Sequence, residues 1–178
     1  KMWVGTFHSL SLRILRQHYE EVGLRKNFLI IDTDDQLKLI KNICEAEKID
    51  TKEVSAKYYL NSIDSFKNKG LKVDQLKENK YRKNDLELRK IYSVYQEELI
   101  RLNLVDFGDL IMHCISIFQK NKLVLKKYQK IFKFIHIDEY QDINPIQQKW
   151  IHYLYQGNKN ICCVGDDDQS IYSWRGAE

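Results

Sequence analysis

The chain has 178 residues, with 29 lysines and arginines against 25 aspartates and glutamates, a formal charge of +4, 43% hydrophobic residues and one proline. That is enough apolar material for a folded core and too little turn chemistry for an all-β fold, so disorder, a sandwich and a barrel are excluded. The small excess of base excludes a general polycation. No run reaches the roughly 18 apolar residues of a membrane span and the N-terminus lacks a signal-peptide pattern, so the expectation is a cytoplasmic protein with no membrane partner. The charge is unevenly spread: residues 1–137 carry 26 basic against 18 acidic side chains, whereas residues 138–178 carry 3 against 7. Such a gathering of carboxylates suggests either a cation site or an acidic tail. Cys44, Cys114, Cys162 and Cys163 have no CxxC spacing and no nearby histidine pair, so they read as reduced, mostly buried thiols.

In chain order, residues 1–6 form a short apolar, strand-like start, and Met2 does not look like a natural initiator, so the chain reads as cut from something longer. Leu10, Ile14, Leu15, Tyr19 and Val22 then fall at helical spacing, with Gly23 at the stop. After the apolar residues 28–31, Asp32 or Thr33 caps a helix to about Glu47 with Leu37, Ile40 and Ile43 or Cys44 inward. Tyr59, Ile63 and Phe66 mark another helix that ends at Gly70. A lysine-rich connection leads to residues 85–102, where Leu88, Ile91 or Tyr92, Tyr95, Leu99 and Leu102 form a heptad-like stripe. Residues 17–105 therefore read as a small helical bundle with no strand of its own.

A helix over residues 107–118 and a lysine-rich helical stretch precede the apolar run 132–137, which stops abruptly in carboxylates. Asn144-Pro145 is a capping residue followed by proline at the first helical position, with Ile146, Trp150, Tyr153 and Leu154 inward and Gly157 as the stop. A second apolar run, residues 161–164, meets Gly165 and three aspartates. Strand, helix, strand is the pattern of a parallel α/β sheet.

Each of those two strands ends in acid: Asp138-Glu139 after the first, Asp166-Asp167-Asp168 after the second. Ligands of open parallel sheets bind beyond the carboxyl ends of the strands, so these acids converge on the edge where a metal–phosphate site is built. Taken alone, Asp138-Glu139 reads equally well as part of the loop capping the next helix. Gln169 adds an uncharged amide suited to sensing a terminal phosphate. Tyr172, Trp174 and Arg175 have the composition for stacking on unpaired bases with a phosphate contact, although the same residues also serve as packing.

Asp138-Glu139-Tyr140-Gln141-Asp142, followed by Asn144 and Gln147, and the run from Val164 through Ala177 resemble motifs II and III of the UvrD/Rep-like superfamily 1 DNA helicases. Gly5-Thr6-Phe7-His8-Ser9-Leu10 resembles the motif Ib region, and Val105-Asp106-Phe107-Gly108-Asp109-Leu110 the segment that returns from the family's helical insertion. The resemblance implies an α/β, predominantly helical fold: a partial parallel P-loop-NTPase (RecA-like) sheet with an inserted all-α subdomain. Residues 1–16 and 106–178 would belong to RecA-like domain 1A, and residues 17–105 to subdomain 1B. It implies that Asp138 holds the Mg²⁺ of bound ATP, that Glu139 activates the hydrolytic water, and that Gln169 couples the γ-phosphate to DNA binding. Gln141 and Asp142 would support that coupling. Thr6, His8, Tyr172, Trp174 and Arg175 would face single-stranded DNA, His8 having the alternative role of a helix-entry residue bonded to backbone.

The match also has gaps. The glycines at 5, 23, 70, 108, 157, 165 and 176 include no GxxxxGK[ST], so the phosphate cradle is missing from this stretch. Gly108 stands where family members usually have an acid. The expectation is thus a fragment, inactive alone, of a 3'-5' ATP-dependent DNA helicase acting in repair or replication. Its partners would be single-stranded DNA, a duplex junction, and the rest of the helicase chain with its Walker A region and second RecA-like domain. The alternatives are a helicase–nuclease subunit, or a DNA-binding module using Lys67, Lys69, Lys72, Lys77, Lys80, Lys83 and Lys90.

Overall fold

Residues 2–76, 83–166 and 168 are described in this computed structural model, and they are mostly helical with two small parallel sheets. The first helix, α1 (Phe7–His18), starts where the Thr6 hydroxyl accepts the Ser9 N–H at 3.2 Å. A 3-10 turn, Tyr19–Val22, extends it, and Gly23 ends it at φ 80°, a left-handed value that glycine adopts without strain. The strand-like start expected of residues 1–6 is not found in residues 2–6. A strand needs a backbone partner, whereas Trp3 makes side-chain contacts instead, edge-on to Tyr128 and Phe132 with the Arg13 guanidinium 3.9 Å above its ring.

Next come β1 (Leu29–Ile30), α2 (Thr33–Ala46), α3 (Ala56–Asn68), α4 (Lys83–Leu102) and β2 (Leu104–Val105). Asp32 caps α2, accepting the Asp35 N–H at 2.9 Å, and Ser55 caps α3 through the Tyr58 N–H at 3.2 Å. β1 and β2 pair in parallel, Leu29 opposite Leu104 and Ile30 opposite Val105, which corrects the expectation that residues 17–105 hold no strand. The chain enters and leaves the helical segment side by side. The Leu29 and Ile31 N–H groups then find the Asn103 and Val105 carbonyls at 3.1 and 2.9 Å.

The remainder is α5 (Phe107–Lys120), α6 (Lys122–Ile131), β3 (Ile135–Ile137), α7 (Pro145–Asn158) and β4 (Ile161–Cys163). β3 and β4 pair in parallel, Ile135 opposite Ile161 and Ile137 opposite Cys163, with α7 as the connecting helix. Asn144 caps α7 with a reciprocal bond from Gln147, and Pro145 occupies its first turn. Gly157 is not the stop. α7 runs one residue further and Lys159 takes the left-handed position at φ 55°. Glycine is needed at 157 for proximity instead, because a Cβ there would lie 2.4 Å from the Gln129 Cβ on α6. Gly157→Ala should therefore cost about 1–3 kcal/mol by overpacking, measured as a lowered urea midpoint.

Two apolar cores result. One joins Ile14, Leu15, Phe28, Leu110, Phe118, Tyr128, Trp150 and Leu154. The other joins Ile40, Ile43, Tyr59, Ile63, Ile91, Tyr92, Tyr95 and Leu99. Cys44 and Cys114 are buried within them, but Cys162 and Cys163 are exposed, contrary to expectation. Among the described residues β4 pairs only with β3, and all three of its residues are exposed.

Candidate functional site

β3 delivers Asp138 and Glu139 to its carboxyl end, where both are exposed. The Glu139 N–H donates to Asp138 Oδ1 at 3.0 Å, and Glu139 itself sits at φ 52°, ψ 47°. A left-handed backbone is uncommon for glutamate and marks a turn held by its surroundings. What holds it is Gln141, which is buried. Its Nε2 donates to Glu139 Oε2, and its Oε1 accepts the Asp166 N–H at 3.1 Å. A single amide thus ties the acids after β3 to the acids after β4. The backbone reinforces the tie: Val164 N–H donates to the Ile137 carbonyl at 2.8 Å, and Tyr140 N–H to the Val164 carbonyl at 3.0 Å.

Gly165 makes this approach possible, since a Cβ there would lie 2.6 Å from Gln141 Oε1 and 3.1 Å from the Tyr140 nitrogen. Asp168 N–H donates to Asp166 Oδ1 at 3.1 Å, so the second acid cluster is a turn of its own. Asp142 Oδ1 is shielded from solvent and has no hydrogen-bond partner among the described residues. Among the described residues no three metal-ligating side chains converge. Asp138 nonetheless fits Mg²⁺, which is commonly held by one or two carboxylates together with phosphate and water.

Thr6 and His8 stand at the start of α1. The Thr6 hydroxyl is occupied as the cap, as described above. His8 is half-buried, burial lowers its pKa, and its ring lies 5.6 Å from that of Phe107. Phe107 is 60% exposed, a large aromatic surface beside His8. The sequence did not single it out. Its signal was its place at the first helical position between two acids, off the apolar face of α5. Gln169, Tyr172, Trp174 and Arg175 lie outside the described residues, as does Asp167.

Behind Phe107 is a buried ionic network. The Lys67 ammonium, 1% exposed, lies 2.6 Å from Asp106 Oδ2 and 2.7 Å from Asp109 Oδ1. Asp106 Oδ2 also accepts from the Tyr95 hydroxyl at 2.9 Å and Gln36 Nε2 at 3.3 Å, and Asp109 Oδ1 from Gln96 Nε2 at 3.1 Å. Burial alone would lower the Lys67 pKa, but the two carboxylates outweigh it and raise it. Gly108 lets the lysine stem pass, because a Cβ there would meet Lys67 Cδ at 2.8 Å. Lys67 is therefore no nucleic-acid contact, as the binding-module alternative had it, and Lys90 pairs with Glu47. Lys77, Lys80 and the Lys83 side chain lie outside the described residues.

Asp64 borders the same network, and burial, then the Asp106 charge, push its pKa from 3.8 up to about 6. The folded chain thus takes up a proton at Asp64 between those values, and its stability falls as pH rises from about 4 to about 6. Asp64→Asn should remove that cost, stabilising the chain by about 1–2 kcal/mol at neutral pH after allowance for partial exposure, and by little at pH 4. Urea titrations at both pH values measure the difference.

The UvrD/REP helicase N-terminal domain model matches residues 1–178. The chain is 42% identical over 177 residues to DNA helicase II of Haemophilus influenzae, covering 99% of this chain and 24% of that protein. It is 45% identical over 181 residues to a probable DNA helicase II homolog of Rickettsia felis, with 98% and 27% covered. It is 42% identical over 179 residues to the ATP-dependent DNA helicase PcrA of Staphylococcus aureus, with 99% and 24% covered. The chain spans about a quarter of the length of these curated relatives. No helix among the described residues is long and apolar enough to cross a membrane.

Proposed function

Since the chain belongs to the UvrD/REP helicase N-terminal domain family, we propose that it forms part of a superfamily 1 ATP-dependent DNA helicase. The observation that carries the mechanism is the Gln141 bridge between the acids after β3 and Asp166 after β4. In this reading residues 1–16 and 106–178 form RecA-like domain 1A, and residues 17–105 the inserted all-α subdomain 1B, its core running from Ile31 to Leu99.

Asp138, at the open end of β3, holds Mg²⁺, which when bound with ATP neutralises charge on the phosphates. Glu139 accepts a proton from the attacking water, its carboxylate held by the Gln141 amide. Gln141 holds Glu139 at one end and Asp166 at the other, so displacement of either strand end reaches the base. Gln169, three residues along the chain from Asp166, senses the γ-phosphate. Thr6, His8, Tyr172, Trp174 and Arg175, joined by exposed Phe107, grip single-stranded DNA by stacking and phosphate contact. Alternate tightening and loosening of that grip moves the strand, with 3'-5' polarity, toward a duplex junction in repair or replication. The Walker A region and a second RecA-like domain come from the rest of the helicase chain.

The test is ATP turnover with and without single-stranded DNA, in this chain and in a longer polypeptide that contains it together with a Walker A sequence. The longer protein should hydrolyse ATP with DNA stimulation, and Glu139→Gln should lower turnover about 10²–10⁴-fold while nucleotide binding persists. This chain alone should show no turnover. Unchanged turnover in the Gln variant would remove Glu139 from its role.

A further inference from the structure

Phe107 opens α5 with an exposed ring, yet the acids before and after it, Asp106 and Asp109, are buried. Their four carboxylate oxygens fall into two pairs. Asp106 Oδ1 accepts the Asp109 N–H at 2.8 Å and Asp109 Oδ2 accepts the Asp106 N–H at 3.4 Å, a reciprocal cap that closes around Phe107 and Gly108. The two remaining oxygens both accept from the Lys67 ammonium, Asp106 Oδ2 at 2.6 Å and Asp109 Oδ1 at 2.7 Å.

A cap of this kind fixes the first turn of a helix relative to its own chain only. Lys67 adds a reference outside α5, because it belongs to the last turn of α3. That turn is itself seated on α7: Asn144 Nδ2 donates to Asn68 Oδ1 at 3.4 Å, and a Cβ at Gly70 would touch Ile146 at 3.7 Å. The lysine stem reaches the two acids across Gly108, the residue that follows Phe107, where a Cβ would meet Lys67 Cδ at 2.8 Å and Lys67 Cβ at 3.0 Å. The clamp therefore lies directly behind the residues that carry the ring.

Stability alone is a weak reason for such a cluster, since apolar side chains of similar volume avoid the desolvation of three charges. Two short charge-assisted bonds to one ammonium supply a fixed geometry instead. On the solvent side of that geometry the Phe107 ring lies 5.6 Å from the His8 ring. His8 belongs to α1, so the aromatic pair spans two helices, and the placement of the α5 start sets its spacing.

We propose that Lys67 is a positioning residue for the single-strand grip: by clamping both capping acids of α5 from behind, it sets Phe107 beside His8 as a surface on which an unpaired base stacks. The stacking role rests on the helicase reading above, whereas the placement of the ring does not. A side chain of α3 that never meets DNA thus controls a contact made by α1 and α5.

The test compares this chain with the neutral cluster Lys67→Met/Asp106→Asn/Asp109→Asn, in which asparagine still caps α5 and no charge is left unpaired. Circular dichroism and the urea midpoint check its fold, and Gly157→Ala serves as a variant destabilised at a distance. The His8 ring signals are followed by NMR, and the affinity for fluorescein-labelled oligothymidylate by anisotropy. The neutral cluster should move the His8 signals in the direction that Phe107→Ala moves them, Asp109→Asn alone should move them less in the same direction, and Gly157→Ala should leave them in place. Phe107→Ala should weaken oligothymidylate binding about tenfold, the neutral cluster should weaken it by a similar factor, and the two together should lose no more than Phe107→Ala does. The cluster substitutions remove one positive and two negative charges, so charge alone would tighten binding. Unmoved His8 signals in both the neutral cluster and Asp109→Asn, or DNA losses that multiply when the cluster is combined with Phe107→Ala, would overturn the positioning role. A His8 shift with oligothymidylate binding absent, or indifferent to Phe107→Ala, would keep the placement of the ring and overturn its stacking role together with that part of the helicase reading.

Discussion

Lys67→Met should destabilise the chain by about 3–5 kcal/mol, read as a lower urea midpoint, because it strands two carboxylates where no water reaches them. Asp106 is fully buried and Asp109 is 1% exposed, and among the described residues the ammonium is the only cation bonded to either of them. The neutral donors Tyr95, Gln36 and Gln96 remain in the variant, but they cannot cancel two negative charges a few ångströms apart. The loss should shrink in acid, where protonation of either carboxyl removes the repulsion. Lys67→Met combined with Asp106→Asn and Asp109→Asn should recover much of the stability, since a wholly neutral cluster carries no uncompensated charge. If the single variant were as stable as the parent, the network would be incidental to the fold. Because Lys67 belongs to α3 and the two acids head α5, the bond also joins the two cores. The single variant should accordingly separate their unfolding into two transitions, detected by tyrosine and tryptophan fluorescence that no longer coincide.

That network marks where sequence reasoning stopped. Helix periodicity was plain, and so were the caps at Asp32 and Asn144, because each cap is a local bond between residues three apart. The strands β3 and β4 were legible from apolar runs that end in acid, and the acids themselves from composition. What could not be read is non-local. The pairing of β1 with β2 depends on two chain ends meeting more than seventy residues apart. Lys67 looks like any surface lysine until α5 brings Asp106 and Asp109 to it, and the glycine at 108 looks like a lost acid until the lysine stem is seen passing over it. The reach of Gln141 to Asp166 likewise depends on the parallel register of β3 and β4. Gly157 failed as a stop for the same reason: its constraint is Gln129 on another helix, not its own backbone.

Trp150→Ala should cost about 3–5 kcal/mol and carry the loss into the acidic turn. The indole is 3% exposed, packed edge-on to Phe7 at 5.7 Å and Phe132 at 5.9 Å, and its Nε1 donates to Cys114 Sγ at 3.2 Å. It therefore pins α7 to α1, to α5 and to the residues leading into β3. Truncation removes a large apolar volume and leaves a cavity that rigid helices on three sides cannot close, and dispersion contacts are lost as well as transfer energy. α7 begins at the Asn144 cap, six residues after Asp138, so any loosening of its seat frees the turn that Gln141 and Glu139 share. Hydrogen exchange should report this directly. The amides of Asp142, Ile143 and Val164, all bonded within or across that turn, should lose protection in Trp150→Ala more than those of α2 and α3, which pack in the other core. Uniform loss across both cores would mean that the indole supports global stability alone. Trp150→Phe, which keeps the ring contacts but not the bond to Cys114, should fall between the two and retain most of the turn's protection.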